Sequence, residues 1–184
     1  DNIIINPADV PTTDKERRHK TDAWDSRKLS RELSNASLKA IYIPDEFHEA
    51  LRSLCRLRER TVSHQTRLKN RIKAYLNTQG IILPPNSECQ HWSRRFMNKL
   101  KELDFDYSPG NDTFKFNIEE LEITRDRVLK IVRRLRHYSH QISVIKHLLT
   151  IPGVGFITAI TFYTEIMDMR RFGNCDRLNT YIGF

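Results

Sequence analysis

Cysteine is scarce in this 184-residue chain, where Cys55, Cys89 and Cys175 are the only three. An odd, widely spaced set argues against a disulfide framework and for a reducing compartment. Zinc is also disfavoured, because Cys89-x-His91 and His137-x-x-His140 match no recognised knuckle and there is no second Cys pair. Long apolar runs are missing as well. None approaches the roughly 18 residues needed to span a bilayer, and no N-terminal signal pattern is visible, so the chain reads as cytosolic with no membrane partner. Aromatic residues make up only 9%, and together with low hydropathy they predict an elongated or partly exposed protein rather than one large globule. The spacing of Tyr42, Tyr75, Phe96, Tyr138 and Tyr163 resembles no RNA-reading sheet. Internal repeats and low-complexity tracts are absent.

What is abundant is positive charge. The formal net charge is +8, which favours a polyanionic partner, since clustered Lys and Arg displace counterions from a phosphate backbone.

The chain opens without methionine on Ile3-Ile4-Ile5, a β-branched run closed by Asn6-Pro7. It reads as an interior strand, and so as part of a longer protein. A helix is predicted from about Lys20 to Leu33, capped by Thr21 or Asp22, followed by a second short strand over Leu38 to Pro44. Residues 1–44 thus read as the β-loop-α-β tail of an α/β domain. From Pro44 the pattern turns helical. Phe47, Leu51, Leu54, Arg58, Thr61, Gln65, Leu68, Ile72 and Tyr75 recur four and three apart, a heptad seam with a polar middle that closes at Gln79-Gly80. A second seam runs through Phe114, Ile118, Leu121, Arg125, Val128, Val132, Leu135, Ser139, Ile142, Lys146 and Leu149. Residues 81–113 between them read as a loop, a short helix and a turn at Pro109-Gly110. Residues 45–147 are therefore predicted to form a long antiparallel coiled-coil arm, able to dimerise through the polar seam of Arg58, Thr61 and Gln65. Residues 148–184 begin a further helical domain, with helices from Phe156 to about Asp168 and from Asp176 to Ile182. The fold class is mainly α.

Three features carry chemistry. The run Leu148 to Ile160, with Ile151-Pro152-Gly153-Val154-Gly155 followed by Thr158-Ala159, is how a helix-hairpin-helix is written. Pro152 and Gly153 stop one helix, Gly155 permits close approach of a partner, and the next helix opens with unpaired N–H groups suited to a phosphate. A tight turn between packed helices that touches no ligand is the alternative. Asp22-x-x-Asp25, preceded by Lys15, Arg17, Arg18 and Lys20, puts two carboxylates on one helical face. Such pairs hold Mg²⁺ or Mn²⁺ in nucleases; equally, acidic residues favour a helix start through capping and the macrodipole. Arg67, Lys69, Arg71 and Lys73 in the first arm, and Arg133 and Arg134 in the second, belong to stretches nearly free of acids. Coiled-coil faces usually mix signs, so phosphate contact is favoured over a solvated charged face. Arg170 and Arg171 add two cations after the hairpin.

Ile5 to Pro11, Lys20-Thr21-Asp22-Ala23-Trp24-Asp25-Ser26-Arg27-Lys28, and Leu149 to Gly155 continuing through Arg171-Phe172 to Leu178-Asn179-Thr180-Tyr181-Ile182-Gly183-Phe184 together resemble the insertion-sequence one-ten family of DEDD transposases, relatives of the Piv and MooV DNA invertases. The resemblance implies an N-terminal RuvC-like domain of RNase H fold, a helical arm and a C-terminal transposase domain. It implies that Asp22 and Asp25 are the last two acids of an Asp-Glu-Asp-Asp set holding Mg²⁺ (or Mn²⁺), with the first two before Asp1. It also implies a nucleophilic serine beyond Phe184, DNA as substrate, a guide RNA in some members, and a bacterial, nucleoid-associated location. With half the acids and the serine outside it, this stretch alone is expected to bind no metal and cleave no DNA.

Overall fold

The computed structural model describes residues 2–13, 21–85 and 91–183. Lys15, Arg17, Arg18, Lys20, Cys89 and Phe184 lie outside the described residues. The chain divides into two compact units, one of residues 1–45 with 169–184, the other of residues 46–168.

In the first unit, helix α1 spans Asp22–Ser34. Thr21 is its N-cap and accepts a 3.4 Å hydrogen bond from the Trp24 N–H, and Asp22 and Asp25 fill the acidic first turn. The helix is the one the capping pattern predicts, within two residues at each end. The two strands are not formed as strands. Ile5 and Ala40 make an isolated antiparallel bridge, with the Ile41 N–H donating to the Ile4 carbonyl at 2.9 Å. Asn6 caps a 3-10 turn at Pro7–Asp9, and this turn ends the extended run after one pairing. The unit also holds helix α7, described below.

The second unit is built on two long helices, α2 (Glu46–Thr78) and α4 (Ser108–Ser139). They are antiparallel: Leu51 shares a core cluster with Leu135, whereas Leu68, Ile72 and Leu76 share another with Phe114, Ile118 and Leu121. Helix α2 ends where glycine predicts. Gly80 takes φ +70°, and the Ile81 N–H reaches back to the Leu76 carbonyl at 2.9 Å, a Schellman closure. Leu68, Ile72, Leu76, Leu121 and Leu135 are wholly buried, so each contributes roughly 1.5–3 kcal/mol of burial.

The inner face departs from the predicted seams in the middle of α4, where Thr124 and Ile131 are buried in place of Arg125 and Val132, and at the start of α2. Phe47 is exposed and His48 is buried in its place, because His48 packs its ring on Tyr163 at 4.8 Å and lies 3.3 Å from the Thr164 carbonyl. Pro109-Gly110 is not a turn between elements but the first turn of α4, where a proline costs no hydrogen bond. Gly110 sits close to Tyr75 there. Its carbonyl accepts from the Tyr75 hydroxyl at 2.9 Å, and a Cβ would stand 2.9 Å from that same oxygen. Between the long helices, α3 (Arg94–Lys101) is the expected short helix, capped by Ser93 and burying Phe96, Met97 and Leu100.

The second long helix also stops early. It ends at Ser139, and a separate short helix, α5 (Ser143–Leu148), follows. The break places Ile145, not Lys146, in the core with Leu51 and Leu135. Helix α6 (Phe156–Ile166) packs against the open end of the long pair and buries Ala159, Ile160 and Thr164. In the first unit, a 3-10 turn at Met169–Arg171 precedes α7 (Cys175–Ile182), whose N-cap Asn174 accepts from the Arg177 N–H at 2.9 Å. The described residues are mainly helical, and none of their helices is long and apolar enough to cross a membrane.

Candidate nucleic-acid interface and carboxylate pair

The hairpin is built from turn chemistry. Val154 donates its N–H to the Ile151 carbonyl at 3.1 Å across Pro152 and Gly153, and Gly153 takes φ +84°. That is the type II pattern, which sets proline at the second position and glycine at the third. The preceding helix ends at Leu148, four residues before Pro152, rather than at the proline. Thr150 turns its hydroxyl and N–H back onto the His147 carbonyl, at 2.8 and 3.1 Å, and so closes the helix first.

Gly155 is the N-cap of α6, with no side chain capping the first turn. A Cβ at Gly153 or Gly155 would meet no atom within 4 Å, so the backbone there faces open space. Val154 is half-buried against the core, which anchors the turn, and Thr158 points outward on the first turn of α6. The arrangement offers unpaired helix N–H groups at a positive dipole end, a geometry that binds phosphate.

The arm's cations fall into groups with different surroundings. Arg52 and Arg56 are committed to the fold: both bond to Glu165 of α6, Arg52 through Nε and Nη2 at 3.0 and 2.9 Å, and Arg56 through the same atoms at 2.9 Å each. The Arg56 hydrogen bond, reinforced by Arg52, holds the Glu165 carboxyl below the usual carboxylate range despite partial burial. Glu165 is a residue that sequence reading missed, because nothing local links positions 52 and 165.

Arg67 and Arg71 are exposed on α2; Arg71 approaches Glu120 at 3.8 Å, and Glu120 also meets His64 at 3.0 Å. Lys69 and Lys73 are half-buried one turn apart on the same helix. Arg133 and Arg134 are exposed at the opposite end of the pair, flanked along α4 by the core residues Ile131 and Leu135. Neighbouring Arg136 instead lies over the Phe156 ring at 4.6 Å. Arg171 is held among aromatics, its guanidinium 4.4 Å from the Phe172 ring, 4.5 Å from Tyr181 and 5.5 Å from Tyr42. Arg170 is exposed beside it.

Asp22 and Asp25 are both exposed in the first turn of α1. A small cleft of Ile5, Pro7, Val10, Lys28 and Leu29 takes in Asp25. Two carboxylates one turn apart suit two positions in a shell of hard oxygen ligands. Among the described residues no group of three metal-ligating side chains gathers there or elsewhere.

Comparison with known proteins gives this arrangement its context. A family model described as a transposase, with DEDD and IS110 in its name, matches residues 2–80, which include the carboxylate pair and all of α2. A second, described as the transposase IS116/IS110/IS902 family, matches residues 145–184, which include the hairpin. The chain belongs to the IS110 family of transposases.

It is 29% identical over 181 residues to "Putative transposase y4qE" of Sinorhizobium fredii, covering 98% of this chain and 43% of that protein. It is 22% identical over 191 residues to the transposase for insertion sequence element IS1111A of Coxiella burnetii, covering 98% and 49%. The chain spans about half the length of the curated relatives it matches. No solved structure matches it.

Proposed function

We propose that the chain is part of a DNA transposase in which Asp22 and Asp25 supply two carboxylates to a divalent-cation site, Mg²⁺ or Mn²⁺, while the basic helix pair and the Pro152–Gly155 hairpin hold nucleic acid. The carrying observation is the order of the two family matches: the first contains the carboxylate pair, the second the hairpin. When bound, the cation would polarise a phosphodiester and its attacking oxygen. The chain's own part is to present both aspartates from one capped helical turn. Arg67, Lys69, Arg71, Lys73, Arg133 and Arg134 neutralise phosphates, and Gly153, Val154, Gly155 and Thr158 present the open start of α6; in the first unit, Arg170 and Arg171 are further cations for nucleic acid. These contacts serve DNA and a guide RNA alike, since both offer the same backbone charge. A DNA substrate places the protein at the bacterial nucleoid in the cytoplasm. The remaining ligands and the serine nucleophile belong to other parts of the parent protein, which leaves this stretch inactive alone.

Leu57 on α2 and Phe116, Ile123 and Leu129 on α4 are large apolar side chains left exposed, and they support association of two arms in a homodimer. Of the polar seam named for this role, Thr61 is buried, its hydroxyl bonded to the Leu57 carbonyl one turn back on the same helix at 2.7 Å.

A non-catalytic nucleic-acid-binding scaffold is the second reading, favoured by the exposure of both aspartates in a turn that Thr21 already caps. Asp25→Asn in the full-length protein separates the two. Loss of Mg²⁺-dependent strand cleavage with an unchanged circular dichroism spectrum supports the transposase reading; unchanged cleavage supports the scaffold.

A further inference from the structure

Trp92 stands where three elements of the second unit meet. It precedes the Ser93 cap of α3 and takes φ +66°, a left-handed backbone that a bulky residue adopts only when its surroundings impose it. Its indole packs edge-on against the buried Phe96 at 5.5 Å, which fixes the ring to the core. From α2, the Lys69 and Lys73 ammoniums approach that ring at 5.7 and 6.0 Å, within the range of cation–π attraction. Burial first, then the charges of Arg125 on α4 and of Lys73, press the Lys69 ammonium below the usual lysine range. Among the described residues, none of the three cations has an ion pair.

Among the described residues no carboxylate pairs with this group, and like cations repel one another unless an anion joins them. We propose that Lys69, Lys73 and Arg125 form a phosphate site, with Trp92 as the platform that holds the two lysines in place, and that its occupant is a backbone phosphate of a bound nucleic-acid strand. The site rests on the reading that the arm binds nucleic acid and gives that reading a location. Trp92 and Arg125 join the interface as residues the charge pattern alone did not single out. A nucleic-acid strand is the occupant the charge balance favours, because the cluster adjoins Arg67 and Arg71 on the same helix and the chain carries a net +8.

The chain has two tryptophans, so Trp24→Phe leaves Trp92 as its sole indole reporter. Titrating this variant with a 20-base-pair DNA duplex should change Trp92 emission saturably. Lys69→Gln with Lys73→Gln keeps both stems over the ring. It should abolish that change and weaken binding about tenfold, with helicity unchanged by circular dichroism. Arg133→Gln with Arg134→Gln should weaken binding yet leave the emission change intact. DNA that binds without altering Trp92 emission, and equally well after the Lys→Gln changes, overturns the site but not the interface. Absence of any DNA binding overturns both. If millimolar inorganic phosphate reproduces the emission change and blocks DNA, the occupant is a free anion and the backbone assignment fails.

Discussion

Arg52 grips Glu165 with two hydrogen bonds that converge on Oε2, Nε at 3.0 Å and Nη2 at 2.9 Å, although the two residues are 113 positions apart. This clasp joins the start of the long helix pair to α6, the helix that follows the hairpin. A depressed carboxyl contributes stability that is present above its unfolded value of about 4.3 and is lost as pH falls through the folded value. Glu165→Gln should therefore lower stability by about 1–2 kcal/mol at pH 7. The difference from the parent chain should shrink toward zero as pH falls below about 4. Urea melts at pH 7 and pH 3.5 check both.

Gly153 and Gly155 should separate folding from binding. At Gly153, φ +84° is strained for any side chain, so Gly153→Ala should cost about 1 kcal/mol or more in a thermal melt. At Gly155 φ is −83° and a Cβ meets nothing. Gly155→Ala should melt like the parent chain but bind DNA several-fold more weakly in a fluorescence anisotropy titration, because the methyl group occupies the approach to the helix start.

The core of the arm should be unforgiving. Leu121 is wholly buried between α2 and α4, and Leu121→Ala should cost about 2–5 kcal/mol. Exposed Leu129→Ala, one helix face away, should cost well under about 1 kcal/mol by the same denaturant melts.

At the carboxylate pair, Thr21→Ala should cost about 1 kcal/mol, since it removes the cap of α1. Asp22→Asn should scarcely move the melt, because Asp22 is exposed and its favourable dipole contribution is only about 0.3–1 kcal/mol. Its effect should instead appear as lost Mg²⁺-dependent cleavage in the full-length protein.

The fold was legible where the chain announces itself chemically. Thr21 with its acidic turn placed α1, Gly80 placed the end of α2, and heptad spacing paired α2 with α4. It was not legible where tertiary packing chose between neighbouring registers. His48 displaced Phe47 because α6 packs on that turn, and Ile145 displaced Lys146 because the helix breaks after Ser139 without a proline or glycine to mark it. Pro109-Gly110 misled because the same dipeptide serves a turn and a helix start. In the candidate site, the cationic groups and the hairpin follow from composition and turn residues. Glu165 and the Trp92 platform depend on contacts between distant segments, which no local pattern encodes.

The central claim is that exposed cations of the arm contact phosphates, and the salt dependence of DNA binding tests it most directly. The slope of log K against log[salt] should be steeply negative for the chain as it stands, and charge reversal of Arg67, Arg71 and Arg134 to glutamate should flatten it by roughly one unit per lost contact. Binding that is insensitive to salt, or a slope unchanged by those reversals, would contradict the account.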